Sequence, residues 1–254
     1  MRIAVCIKRV PITGGRILLT EDSRAINTQH LGFTMSPHEE CGVEEAARLI
    51  EANKGDSVVL TLGPPEAVEQ LRDAMALGID RAIHLQTDGQ EWDAEATASA
   101  LLEAIRGDEA ANGPFDIVFF GNESADSGGF QVGIRVAHAL GRPCVTGLKK
   151  VTVEGSSVRC EQEGDGGRDV YVVPLPAVLT VKEGLNLPRY PSVPGKMRAR
   201  SKPVAVSTPH RPAPRLELVK LAVPAGQGRR AESLGSGAAA APAVVDILQK
   251  AGLL

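Results

Sequence analysis

Ile117-Val118-Phe119-Phe120-Gly121-Asn122-Glu123-Ser124-Ala125-Asp126-Ser127-Gly128-Gly129-Phe130-Gln131-Val132-Gly133 passes from an apolar run through a glycine-bearing loop into a helical pattern. Its first four residues form an unbroken apolar run of strand length. They lack the alternation of a strand with one wet face, so a strand here is covered on both sides. After the polar, glycine-bearing stretch comes an apolar pattern of helical period, with Val132, Val136, Ala139 and Leu140 inward and Gly141 closing it. Strand, loop and helix in that order make the unit from which parallel α/β sheets are built.

The same alternation recurs on either side. Ile3 to Ile7, Val58 to Leu62, Ala82 to Leu85 and Val178 to Val181 read as further buried strands. A first helix starts at Ser36-Pro37-His38-Glu39, where a hydroxyl N-cap, a proline at the first helical position and a capping-box glutamate coincide. Val43, Ala46, Ala47 and Ile50 are its apolar stripe. A second helix opens at Pro65, carries Val68, Leu71 and Met75, and stops at Gly78. A third runs from Asp93 to Arg106, and a fourth begins near Gly129. The predicted fold is α/β, a mostly parallel doubly wound sheet within residues 1–200. Val151 to Val158 reads as strand, turn and strand, and Gly164 to Gly167 as a second turn, giving a β-hairpin excursion near residues 150–175. From residue 201 to 254 the chain is proline-rich and then alanine-rich, and only Pro242 to Lys250 regains a helical pattern. This predicts an arm with a short terminal helix that packs on something else, the alternative on composition being a disordered tail.

Composition removes several function classes. The chain has 254 residues, and its 28 Lys+Arg against 31 Asp+Glu leave a net charge of -3, so it carries no cationic footprint for nucleic acid. Aromatics make up 3%, too few for a base-stacking platform. The longest apolar runs are far too short to span a bilayer, so no direct membrane insertion is expected. The amino end, interrupted by Lys8 and Arg9, fits no secretory signal, and a cytoplasmic location follows as the expectation. Cys6, Cys41, Cys144 and Cys160 show no CxxC and no histidine at metal spacing, so they read as reduced thiols and no metal site is assigned.

In an open parallel sheet, ligands bind beyond the carboxyl ends of the strands, which singles out the loops after Ile7, Leu62 and Phe120. Leu62-Gly63-Pro64-Pro65 allows close backbone approach before a helix start, though a structural turn predicts the same pattern. Backbone amides from Gly129 to Val132 would point outward at a helix start, where phosphate supplies missing acceptors and meets the positive end of the dipole. The glycine spacing is neither a Walker A loop nor a Rossmann fingerprint. A nucleotide site and a flexible connection with a polar lip both remain open at this level. None of His30, His38, His84, His138 and His210 sits in a metalloprotease or nucleophile-elbow motif; His84 and His138 read as packed or surface residues. Glu39, Glu40, Glu44 and Glu45 lie mostly opposite the apolar stripe of the first helix and read as a solvated face. No catalytic residue is assigned.

Asn186-Leu187-Pro188-Arg189-Tyr190-Pro191-Ser192-Val193-Pro194-Gly195-Lys196-Met197-Arg198-Ala199 resembles the signature segment of the electron transfer flavoprotein β subunit. Val5 to Val10, Met35-Ser36-Pro37 with Val43 to Ala46, Leu62 to Pro65, Ala76 to Ala82 and Gly121 to Asp126 follow in family order, so the resemblance covers most of the chain. It implies an adenine-nucleotide-binding fold in a heterodimer whose α subunit holds most of a redox-active FAD. The β chain would then be an electron carrier subunit rather than a stand-alone enzyme, taking electrons from partner dehydrogenases and passing them to a downstream acceptor. AMP is its expected structural nucleotide, with a second FAD as the bifurcating alternative. By motif correspondence the cofactor-binding residues are Cys6, Lys8, Ser36, His38, Leu62, Gly63 and Asn122, with Asp126, Ser127, Gly128, Gly129, Phe130, Gln131 and Val132 around the phosphate.

Two departures from the family accompany this. His38 stands where the family often has an aromatic residue near the flavin, and Thr13 near where some members carry tyrosine. A protonated His38 would favour an anionic reduced flavin. The resemblance also implies a recognition loop near residues 186–198 with Tyr190, Val193, Pro194 and Met197 as partner-binding residues. Val193 matches an anchor that is more often leucine, a loss of about 1 kcal/mol of burial. Lys196, Arg198, Arg200 and Lys202 alternate, and on an extended strand would face one side, either steering an acidic partner or guarding a sheet edge. The competing class is a free-standing adenine-nucleotide-binding module, regulatory or ATP-hydrolysing, which predicts a stable isolated chain without flavin colour.

Overall fold

Strand β1 (Arg2–Ile7) lies at the middle of the sheet because both of its faces are apolar: Ile3, Val5 and Ile7 face one core, Ala4 and Cys6 the other. The computed structural model describes residues 1–14, 17–224 and 232–254. A short antiparallel ribbon, β2 (Arg9–Pro11) with β3 (Phe33–Met35), carries the chain back to the carboxyl end of β1. Helix α1 (Pro37–Asn53) starts there, at the N-cap expected from the sequence. β4 (Asp56–Gly63), a 3-10 turn at Pro65–Ala67, α2 (Val68–Ala76), β5 (Arg81–Gln86), α3 (Ala94–Asn112), β6 (Ile117–Gly121) and α4 (Val132–Leu140) continue the alternation. β7 (Cys144–Glu154), β8 (Ser157–Gly164), β9 (Gly167–Pro174) and β10 (Ala177–Val181) follow, then α5 (Val193–Ser201), β11 (Val204–Ser207) and α6 (Ala241–Lys250).

One sheet takes the order β11-β5-β4-β1-β6-β10-β7-β8-β9. It is parallel from β11 through β7 and antiparallel beyond, so the doubly wound α/β expectation holds. One core joins sheet residues to Val43 and Ala46 of α1, Leu71 and Met75 of α2 and Ala199 of α5. The other joins them to Leu101 and Ile105 of α3 and Val136 of α4. Parallel strands sealed on both faces are the reason the strand sequences read as unbroken apolar runs.

Several elements differ from the sequence reading. The excursion is a three-stranded meander that extends the main sheet: β7 begins parallel to β10 and becomes β8's antiparallel partner after Gly147, whose φ of 63° accompanies the change of register. Helix α4 starts at Val132 rather than near Gly129, because Gly128 and Phe130 adopt φ of 56° and 55° and break helical geometry. Ala137, not Ala139, is its buried alanine. Helix α3 runs to Asn112, past Gly107. Residues 193–201 are helical, not extended. The proline-rich stretch first adds β11 to the sheet edge beside β5. Arg211 then crosses the loop after β5, donating to the Gln90 side chain and the Glu91 carbonyl at 2.6 Å each. Helix α6 has no buried residue.

Candidate functional site

The chain leaves β1 for β4 on one side and returns to β6 on the other, so β1 and β6 are neighbours whose exiting loops diverge. A crevice at the carboxyl ends follows from that topology. Here it is a cleft of about 530 Å³ whose lining includes Ser36, His38, Glu123, Asp126, Ser127 and Glu183.

Glu39 holds the two sides of the β1 exit together. Its carboxylate accepts the Lys8 N–H at 2.8 Å and reaches back to the Ser36 N–H at 3.3 Å, the glutamate half of the capping box. Gly121 ends β6 against it, and a Cβ there would meet Glu39 Cγ at 2.7 Å, so only glycine fits. Burial pushes the Glu39 carboxyl up to about 8, against the two amide hydrogen bonds. The Lys8 ammonium lies 2.7 Å from Glu91 and 2.8 Å from Asp126 and donates to Ser127 Oγ at 3.3 Å. Burial works against both charges of the Lys8–Asp126 pair, yet the pairing prevails: Lys8, further supported by Glu91, is raised and Asp126 lowered, so both are ionised. Asn122 accepts from Thr180 Oγ1 at 2.8 Å, which ties the loop base to β10.

Beyond Asp126 the loop folds on itself. Gly128 N–H donates to Ser124 O at 3.0 Å, and the Ser124 and Ser127 hydroxyls are 2.9 Å apart. Among the described residues no side chain caps the first turn of α4, and a Cβ on Gly129 would meet nothing within 4 Å. Main-chain donors at a helix start beside open space are what a phosphate needs. The cation nearby is already matched by two carboxylates, so an anion here depends on amides and the helix dipole.

Ser36, His38, Asp126, Ser127 and Gly128 therefore share the cleft, with Lys8 joined through its partners. The Cys6 side chain does not reach it: it is buried in the core facing α3 and α4, and burial with the nearby Glu39 charge drives its thiol far upward. Leu62 and Gly63 end the adjacent strand, where Gly63 O accepts from Thr87 N–H at 2.9 Å, and Asn122 forms the loop base; these three are not among the cleft's lining residues. Gln131 is occupied by Arg135, Val132 is half-buried, and Phe130 is exposed and outside the lining. Burial lowers the His38 pKa, with Glu123 and Glu183 opposing, which disfavours a protonated ring in the chain by itself. Thr13 is exposed. His84 is packed, with Nε2 3.2 Å from Gly63 O, and His138 is at the surface.

The solvated-face reading of α1 is also corrected. Glu39 and Glu44 are buried, because the β1 exit and the segment after β10 cover the helix side that the stripe left open. Sequence reasoning found Glu39 as a capping residue but not its burial. It missed Glu91 and Glu183, whose places no local pattern marks, and left Glu123 unassigned although it lies in the Gly121 to Asp126 loop.

A second cluster lies on the segment after β10. Leu187, Tyr190, Val193 and Met197 all project into solvent, Tyr190 being 96% exposed. Ser192 caps α5 by accepting Gly195 N–H at 3.1 Å. Gly195 packs so closely on α2 that a Cβ would lie 2.6 Å from Ala76 O. On this helix Val193, Lys196, Met197 and Arg200 share the outward face at spacings of three and four. The four cations thus do not form the single row expected of a strand. Lys202 turns inward and donates to Met75 O, in the last turn of α2, at 3.0 Å and to Ile79 O, just past that helix, at 2.6 Å.

Residues 24–211 match the family model described as "Electron transfer flavoprotein domain". The chain is 35% identical over 225 residues to the electron transfer flavoprotein subunit beta of Syntrophomonas wolfei, covering 88% of this chain and 86% of that protein. It is 37% identical over 212 residues to the Mycobacterium tuberculosis subunit beta, covering 81% and 78%. With the mitochondrial subunit beta of Arabidopsis thaliana it shares 34% identity over 211 residues, covering 82% of each.

Proposed function

Because this chain belongs to the electron transfer flavoprotein family, among its β subunits, we propose that it is the β half of a heterodimer carrying electrons between proteins. In this reading dehydrogenases reduce an FAD held mainly by the α subunit, and the pair passes the electrons to a downstream acceptor. FAD, when bound, supplies reversible electron storage. This chain's contribution is to dock the donor, to bind a structural adenylate, and to border the flavin through the cleft near His38. No described helix is long and apolar enough to cross a membrane, and we place the pair in the cytoplasm.

The residues present fit AMP. Ser127 and the amides from Gly129 to Val132 would take the phosphate, while Ser36 and the strand ends at Lys8 and Asn122 flank the nucleoside. The arm, residues 201–254, would lie against the α subunit: α6 leaves Val244, Val245 and Ile247 exposed, an apolar face that asks for cover.

The observation that carries this reading is the docking segment. Large apolar side chains held in water on a capped helix and a proline-restricted lead are costly unless a partner buries them. Lys196 and Arg200 beside Val193 and Met197 suit an apolar socket with an acidic rim, and such charges raise the encounter rate. The test is Val193→Asp in the co-expressed α–β pair. We expect a steep rise in KM for the donor dehydrogenase with flavin content unaltered; lost flavin, or an unaltered KM, would remove the docking role.

A further inference from the structure

A docking element that keeps its apolar side chains in water cannot use them to hold itself in place. Something else must fix the backbone between β10 and α5, and in this chain it is the acidic side of α1. We propose that Glu44 is a positioning residue for partner docking, fixing the docking segment through Arg189 before the partner arrives. The proposal rests on the electron-carrier reading above.

Glu44 is only 1% exposed, and donors surround its carboxylate. Oε2 accepts Arg189 Nε at 2.9 Å and the Arg189 backbone N–H at 3.2 Å. Oε1 accepts Arg189 Nη2 at 3.1 Å and Arg48 Nε at 2.5 Å. The backbone contact matters most, since it fixes the main chain as well as a side chain. Arg189 continues to Glu51 at 2.6 Å, about two turns further along α1. Arg48 donates its other end to Leu187 O at 3.2 Å. Asn186 donates to Cys41 O at 3.0 Å and to Glu45 at 2.9 Å.

Residues 186, 187 and 189 are thus each tied to α1 by polar contacts, and prolines at 188 and 191 restrict the backbone between and beyond them. Leu187 and Tyr190 remain exposed on a fixed backbone. Apolar packing would hold the segment only by hiding the surface that docks. A charge-assisted fork holds it without using that surface, and its planar geometry specifies orientation. Ordering completed before encounter is ordering the complex does not have to supply, which lowers the entropy lost on docking.

The experiment uses the co-expressed α–β pair with Glu44→Gln, Arg189→Gln and the double variant. Should the buried Glu44 change disturb folding, Arg189→Gln still tests the proposal from the surface side. Amide hydrogen exchange is read over residues 187–198. KM and kcat are read with the substrate-reduced dehydrogenase whose KM rises in Val193→Asp. We expect faster exchange confined to the segment and KM raised on the order of tenfold in each single variant. The double variant should raise KM by less than the two single effects combined, because both changes break the Glu44–Arg189 connection. The rate at saturating dehydrogenase and the flavin content should stay at wild-type values.

Unchanged exchange, faster exchange with unchanged KM, additive single effects, or flavin loss would each overturn the proposal. If no dehydrogenase responds to Val193→Asp, the docking role itself falls and this proposal with it. A response to Val193→Asp but none to Arg189→Gln overturns the positioning role alone.

Discussion

Glu39 and Glu44 are one residue type on one helix, both buried, and they titrate in opposite directions. Glu39 meets only backbone amides, and burial wins, raising it to about 8. Burial also pushes Glu44 up, but the hydrogen bonds and charge of Arg189 and Arg48 outweigh it and hold the carboxyl below its ordinary value. The difference is a matched countercharge. For Glu39 the folded state keeps a proton that the unfolded chain releases above its ordinary 4.5, so stability falls as pH rises from there through about 8. The slope is at most about 1.4 kcal/mol per pH unit. Glu39→Gln should remove it, so that thermal unfolding of the α–β pair between those limits shows the variant gaining on wild type as pH rises. Parallel pH profiles would mean that Glu39 titrates normally. The capping role of Glu39 is legible in the order Ser36-Pro37-His38-Glu39, because a cap is a contact three residues long; its burial under Gly121 is not.

Helices α3 and α5 show how tertiary contacts set element boundaries. Gly107 weakens a helix locally, yet α3 continues because Asp108, its next residue, pairs with Arg81 at 2.5 Å and Arg2 at 2.7 Å. These arginines project from β5 and β1 and also share Asp56, at 3.1 and 3.3 Å. Burial opposes the Asp108 charge, but Arg81 and Arg2 hold its pKa low. Asp108→Ala leaves two half-buried guanidiniums with only Asp56 between them, and we expect a loss of about 2–3 kcal/mol. A lowered thermal midpoint of the α–β pair, with faster exchange in residues 107–112, is the outcome to measure; an unchanged midpoint would assign the extension of α3 to apolar packing alone. Helix α5 is the converse case. Its alternating Lys and Arg residues suit a strand, but the Ser192 cap and the fit of Gly195 against Ala76 O select a helix.

On the scale of the molecule, the sheet order brings together ends of chain far apart in sequence: Lys8 with Asp126, Ser36 with Glu123, and α1 with the segment at Asn186. The cleft at that meeting point leads to a measurable composition. Denaturing the purified α–β pair should release AMP and FAD in equal amounts; flavin in excess with no AMP would assign a second FAD to the cleft. Flavin absent altogether would favour the free-standing nucleotide module. The features legible along the chain are those that act over a few residues: buried strands in apolar runs, the N-cap of α1, the strand-loop-helix at Ile117 to Gly133, and the kinship carried by Asn186 to Ala199. Which acids are buried, how far α3 runs, where the meander joins the sheet, and what holds the segment from Asn186 to Arg189 came from the folded chain alone. Those outcomes depend on contacts between residues distant in the chain, such as the 145 positions separating Glu44 from Arg189, and a local pattern carries no information about a neighbour that the fold has yet to supply.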